Sequence, residues 1–333
     1  LSASELVDAY SRGTISPVEV VRSVLDHIDR WEPHLQATYL LRPDLALDQA
    51  HASQARWHRR EPCGPLDGVP TTIKENIATV GDPLPAGTAA VDLVPAAVDA
   101  PPAARLREAG AIMVSKTTMP DYGMLSSGLS TFHSLARNPW DLSKTPGGSS
   151  AGAGAAAAAG YGPLHIGTDI GGSLRLPAGW CGIFSLKPSL GRVPIDPPYT
   201  GRAAGPMTRR VADSALMMQV LSKPDARDSM SLPFQPITWD QFDQGAGFLK
   251  GLKIGLLMEA GCGLPVEPEV QKAVLRAAQL FEQAGATVES MKPFMTQTML
   301  KGLDHFWRMR SHLDLAALPP EAKVFHVEQL VVP

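Results

Sequence analysis

PGGSSAGAGAAAAAGYGPLHIGTDIGGSLRLPAGWCGIFSLKPSLGR, residues Pro146 to Arg192, is the stretch around which the rest of the chain is read. Two small-residue turns, Gly147-Gly148-Ser149-Ser150 and Gly171-Gly172-Ser173, flank a segment that reads as helix and then strand. Paired glycines carry an entropic cost and are kept where the backbone bends sharply or approaches a ligand closely. Each turn also sets a serine hydroxyl beside freed backbone N–H groups. A nucleophile needs such a hydroxyl, and a developing oxyanion needs such donors.

Three chemistries compete for these serines. Gly152-Ala153-Gly154 before a helix suggests a dinucleotide loop, but position 157 is alanine, no β-prone run precedes it, and no GxxxxGK[ST] occurs. Gly148-Ser149-Ser150-Ala151-Gly152 matches the nucleophile-elbow pattern G-x-S-x-G. An elbow requires a hydrophobic strand immediately before it, and here the polar Asp141 to Pro146 stands instead. His165 and His305 are isolated, so neither reads as its base. The third chemistry is a serine nucleophile whose base is a lysine kept neutral by burial. Lys74 ends the apolar run Val69 to Ile73, yet lysine is rarely fully buried unless paired, and by itself it reads as a surface residue.

Outward from the centre, helix–glycine–strand alternation predicts an α/β protein with a mixed sheet covered by helices on both faces. Ser2 to Glu5 and Ser16-Pro17-Val18-Glu19 are capping boxes that start helices. Further helices are predicted over Asp44–Arg59, Ala103–Ala109, Val211–Leu221, Glu269–Gln283 and Gln297–Leu313, and strands over Ile112–Ser115, Leu252–Met258 and Thr287–Ser290. Residues 223–250 dissolve into Pro, Asp, Ser and Gln, a surface excursion.

A chain of 333 residues can bury a large core, and its 44% hydrophobic and 19% charged content is that of a globular protein. A net charge of −3 and scattered basic residues argue against nucleic acid and against an acidic membrane surface. Cys63, Cys181 and Cys262 are too few and too separated for a disulfide framework or a zinc site, and Cys181 reads as packing. No apolar run reaches spanning length. The expected compartment is the cytoplasm.

The ordered set of GVPTTIKENI around Lys74, Lys116 to Pro120, Asn138-Pro139-Trp140, PGGSS at Pro146 to Ser150, GTDIGGSLRLPAGWCG at Gly167 to Gly182 and Leu186 to Ser189 resembles the amidase signature family, from about Ser2 to Met218. The resemblance implies that family's fold, with its motif core over 66–192, and hydrolysis of a carboxylic amide C–N bond through an acyl-enzyme. It implies Ser173 as nucleophile, Ser149 as a bridging serine held by a cis peptide bond, and Lys74 as base. It makes the backbone N–H groups of Ile170, Gly171, Gly172 and Ser173 the oxyanion pocket. Asp169 and Arg175 become a buried scaffold pair gripping the Ser150 hydroxyl and nearby backbone. Gly123 to Ser127 would line the acyl site, Gly123 and Leu125 leaving room, with Tyr122, Met124 and Trp180 as apolar wall, which points to a hydrophobic or aromatic amide. No metal or cofactor is implied; the partners are a small amide and, as an option, a second copy of the chain.

Departures from the family pattern set the alternatives. Ala151 stands at a small position, Ser185 where glycine is usual, and Leu176 where the glutaminase subunit of amidotransferases commonly has glutamine. The ending His326 to Pro333 does not align with the family's ending. The expectation is one domain over 1–333, with truncation at the C-terminus left open. The rivals are a glutaminase subunit of an amidotransferase, a catalytically impaired scaffold or binding protein, and an esterase.

Overall fold

The structure, a computed structural model, describes residues 1–240 and 246–318. By internal contacts the chain gathers into two compact units, Leu1–Asp240 with Leu318–Pro333, and Gln241–Ala317. One domain over 1–333 stays an expectation, and the ending from His326 lies outside the described residues.

The larger unit carries a six-stranded mixed sheet in the order β1-β3-β2-β4-β6-β5. Its strands are β1 (Thr38–Leu41), β2 (Pro70–Lys74), β3 (Ile112–Thr117), β4 (Leu164–Asp169), β5 (Phe184–Ser185) and β6 (Ala203–Thr208). β2 runs parallel to both β3 and β4, while the flanking pairs β1/β3, β4/β6 and β5/β6 are antiparallel. β2, β3, β4 and β6 are buried throughout. That explains why they lack the polar–apolar alternation of a half-exposed strand.

Side chains alternate across each strand, and β3 shows both faces covered. Ile112 and Val114 join a core with α2 (Pro17–Leu35), α3 (Pro43–Arg59) and α5 (Ala151–Ala159). Met113 between them joins a core with α1 (Ala3–Arg12), α4 (Pro101–Glu108) and α7 (Val211–Leu221). The predicted capping boxes are present: Ser2 and Glu5 start α1, and Ser16 and Glu19 start α2. β6 is not legible in the sequence: AAGPMT has no β-branched residue before its last position and contains Pro206. Pairing with β4, from His165↔Met207 to Asp169↔Ala203, makes it a strand.

α5 explains the alanine run. It is buried from Ala151 to Ala157, so it needs no polar face. A Cβ on Gly152 would run into Ala37 O and lie 2.5 Å from Thr118 N, and one on Gly154 would lie 2.8 Å from Pro177 Cβ. Only a helix of small residues lies this close to its neighbours. α6 (Arg175–Cys181) follows the second serine turn.

The predicted excursion from 223 is largely exposed up to 240, but Asp228 pins it by accepting the amides of Ile195 at 2.9 Å and Met230 at 2.8 Å. Its residues 241–245 lie outside the described residues.

The smaller unit holds a parallel pair, β7 (Lys253–Leu256) and β8 (Thr287–Ser290), with α8 (Pro268–Gln283) between them in sequence and α9 (Gln297–Ala316) after them. These elements fall where the sequence predicts them.

Candidate active site

Lys74 is delivered by the turn ahead of β2. Asp67 is buried there and takes a two-pronged ion pair from Arg56, Nε at 2.8 Å and Nη2 at 2.6 Å, plus the Cys63 amide at 2.9 Å. The Gly68 amide then bonds Gly110 O, which joins the start of β2 to the loop leading into β3. Lys74, which by itself reads as a surface residue, is fully buried. Buried lysines are tolerated where their N–H groups are satisfied. Here Nζ lies 2.8 Å from Ser149 Oγ and 3.0 Å from Thr168 Oγ1. Thr168 is absent from the residues read off the sequence. Asn76 Nδ2 also donates to its hydroxyl, at 3.1 Å. The signal that could have found it is its place at the end of β4, beside the strand that ends on Lys74.

The first serine turn sits at the start of α5. The Gly148–Ser149 peptide is cis, as the resemblance implies, and Ser149 is buried. A Cβ on Gly148 would lie 2.5 Å from Ser127 N and O, and one on Gly123 would lie 3.2 Å from Ser149 Oγ. The segment predicted to line the acyl site therefore rests directly on this turn. Leu125 within it is 38% exposed, so it is open to an incoming ligand.

The second turn lies alongside: the Ser150 amide donates to Ser173 O at 3.3 Å. Ser173 is half-buried, Ile170 likewise, and Gly171 is exposed, so this turn meets solvent where Lys74 and Ser149 do not.

Two expectations need correction. The Gly172 amide donates to Asp169 Oδ1 at 2.8 Å. It is engaged in holding the turn, which leaves Ile170, Gly171 and Ser173 as the amides to consider for an oxyanion. The Asp169–Arg175 pair does not grip the Ser150 hydroxyl. Asp169 is buried and accepts Gly172 N, Leu174 N at 3.0 Å, and Arg175 Nε and Nη2 at 3.0 and 2.8 Å. The Arg175 side chain is 55% exposed. Burial opposes the Asp169 carboxylate, but the Arg175 bonds and the two amides outweigh it and hold its pKa below the ordinary range. Ser150 Oγ is held instead by the Thr168 backbone, donating to its O at 3.1 Å and accepting its N–H at 3.3 Å. The reason is reach: Asp169 turns toward the loop that follows it, while the main chain of Thr168 faces the start of α5.

Cys181 is buried, its Sγ donates to Pro146 O at 3.3 Å, and burial pushes the thiol up to about 12. It is not a nucleophile near neutral pH. Leu176 sits against Gly172, where a Cβ would lie 3.0 Å from its Cγ, and Trp180 stands 3.2 Å from the Cβ position of Gly147. Among the described residues no cluster of three or more His, Cys, Asp or Glu could hold a metal ion, and no helix is long and apolar enough to cross a membrane. An open groove of about 950 Å³, lined by Arg22, His27, Arg30 and Arg209 among others, shares no residue with this site.

Comparison with known proteins bears on this arrangement. Residues 19–311 match the family described as Amidase. A glutamyl-tRNA(Gln) amidotransferase subunit from Bdellovibrio bacteriovorus is 37% identical over 299 residues, covering 89% of this chain and 60% of its own length. Among solved structures, a bacterial aryl acylamidase of the amidase signature enzymes superposes with a TM-score of 0.86 at 34% identity, over 95% of this chain and 66% of that one. The native peptide amidase from Stenotrophomonas maltophilia superposes with a TM-score of 0.77 at 29% identity, over 87% of this chain and 62% of that one. The chain thus spans about 60% of the length of the curated relatives it matches.

Proposed function

The chain belongs to the amidase family, and from that premise we propose that it cleaves a carboxylic amide C–N bond through an acyl-enzyme on Ser173. The observation that carries this reading is the buried Lys74–Ser149 hydrogen bond, at 2.8 Å, beside a half-buried serine turn. Neutral Lys74 Nζ takes the Ser149 proton while Ser149 Oγ takes that of Ser173. Ser173 Oγ attacks the amide carbonyl, and the carbonyl oxygen gains negative charge. The amides of Ile170, Gly171 and Ser173 are the donors for that oxygen, each well-placed one contributing on the order of 3 kcal/mol. The relay then returns a proton to the departing nitrogen, because an amide nitrogen is too basic to leave as an anion. Water enters by the same route, loses its proton to the relay, and releases the acid.

A hydrophobic or aromatic amide suits the wall. Gly123, Met124 and Leu125 carry no charge, and Trp180 and Leu176 stand beside the two glycine turns. A second reading, the glutaminase subunit of an amidotransferase, is favoured by the curated relatives, which are glutamyl-tRNA(Gln) amidotransferase subunits. The cytoplasm suits either reading.

The test is a panel of anilides, aliphatic amides, esters and glutamine, run on the chain as it stands and on Ser173→Ala and Lys74→Ala. Turnover of an amide that vanishes in Ser173→Ala and falls at least about a thousandfold in Lys74→Ala is the expected result. Near-normal turnover by Lys74→Ala overturns the relay. Glutamine as sole substrate, with activity rising in the presence of a co-purifying protein, selects the second reading.

A further inference from the structure

Immediately after Lys74 stands Glu75, whose side chain is wholly buried and has no part in the relay. A carboxylate is kept out of water only where its oxygens are bonded. Both are. Oε1 accepts the Gly87 amide at 2.9 Å, and Oε2 bonds His133 Nε2 in a buried contact. The His133 ring stands edge-on to Tyr39 and Phe132, with centroids 5.0 Å away in each case. Ser130 Oγ, three residues earlier, donates to Gly87 O and accepts the amides of Phe132 and His133. Gly87 is therefore gripped at its N–H by Glu75 and at its carbonyl by the segment that Glu75 also holds through His133.

That segment is the acyl-side wall. It begins at Asp121, whose carboxylate accepts Thr131 N at 2.8 Å and closes 121–131 into a loop. The Tyr122 amide bonds Ala86 O at 2.7 Å. Between these anchors lie Gly123, Leu125 and Ser127, in contact range of Gly148 and Ser149. We propose that Glu75 and His133 are a positioning pair that locks the 121–133 wall to the strand end bearing Lys74, so that the acyl pocket and the base keep one register. The pair sets which acyl groups fit, not the proton transfer itself; this rests on the reading of that wall as the substrate pocket. A shift of the wall by an ångström changes the room beside Ser149, whereas the Lys74 amine is held by Ser149 and Thr168.

Three variants separate positioning from simple structural support: His133→Leu, His133→Gln and Glu75→Gln. For His133→Leu, KM for a bulky acyl anilide should rise about tenfold, which equals the loss of one good buried hydrogen bond. The rate of Ser173 labelling by a small fluorophosphonate should stay within about twofold of the parent. His133→Gln, which keeps an N–H toward Glu75, should recover most of the KM. Glu75→Gln should follow His133→Leu. In hydrogen exchange, peptides spanning 121–133 should lose protection in His133→Leu while those of β2 and β4 do not. An unchanged KM with unchanged exchange in 121–133 overturns the proposal. So does a parallel loss of labelling rate and of protection throughout the sheet. If the parent protein neither labels nor turns over any amide, the catalytic reading fails, and the exchange result still decides whether the pair holds the wall.

Discussion

At Lys74 Nζ two hydroxyls meet, Ser149 and Thr168, and from the sequence only the first receives a role. Thr168 Oγ1 takes hydrogen bonds from both Lys74 and Asn76 and so orients the amine toward Ser149. Removing that acceptor takes one hydrogen-bond partner from the buried Lys74 amine and one from the half-buried Asn76. Thr168→Val should therefore lower kcat by about ten- to a hundredfold with little change in KM, the kinetic equivalent of a lost buried bond. Thr168→Ser should restore most of it, and equal kcat in all three proteins would show that Thr168 does not orient the base. His165 gives a pH prediction at the same scale. It is fully buried, its Nδ1 meets Thr72 Oγ1 at 2.8 Å, and burial, with Arg209 adding to it, depresses its pKa from 6.5 to about 3. Between those values the unfolded chain binds a proton that the folded chain does not, so stability is full above about pH 6.5 and falls as the pH drops toward 3. The loss should reach about 2 kcal/mol by pH 5. Urea midpoints measured from pH 7 to pH 5 check this. In His165→Gln that part of the acid slope should disappear; an unchanged slope would mean that other groups carry it.

The element on which the site depends is α5. Its two internal glycines are requirements of packing, since helix propensity alone favours alanine by about 0.5–1 kcal/mol. At Gly152 the two nearest atoms, Ala37 O and Thr118 N, are backbone and cannot swing aside. Gly152→Ala should cost about 3 kcal/mol or more through overpacking and displace Ser149 with the helix start. Gly179 in α6 is the matched control, with nothing within 4 Å of its Cβ position. Gly179→Ala should be neutral or stabilising by a few tenths of a kcal/mol. Chemical denaturation of both variants, read against fluorophosphonate labelling, compares a crowded glycine with a free one. Equal stability of the two would remove the packing account of the alanine run.

Over the whole molecule, burial is unevenly shared. The sheet strands β2, β3, β4 and β6 are buried along their length, whereas β7 and β8 have no fully buried residue. In α8 and α9, Val270, Leu280, Met309 and Leu313 are each more than half exposed. Segments with few buried apolar contacts open at lower free energy. Amides of β7, β8 and α8 should therefore exchange at least about a hundredfold faster than those of β2 and β4, a difference near 3 kcal/mol. Uniform protection across the chain would contradict this. The larger unit, which contains every residue of the proposed relay, holds nearly all of the buried apolar core.

What the sequence determined by itself was local. Capping boxes placed α1 and α2, helix–glycine–strand alternation placed the α/β architecture, and the spacing of small residues marked both serine turns. The pairing of Lys74 with Ser149, seventy-five residues away, was implied only by the family resemblance that the ordered motifs carry. Tertiary structure decided what depends on groups meeting across strands. It buried Lys74, brought Thr168 to its amine, engaged the Gly172 amide with Asp169, gave Ser150 to the Thr168 backbone, and set His133 against Glu75. None of these follows from spacing, because a hydrogen-bond partner is chosen by distance in space. Once the sheet has formed, the side chains of residues 168 and 74 lie within hydrogen-bond reach, and the cost of leaving a buried donor or acceptor unpaired selects the pairs that remain.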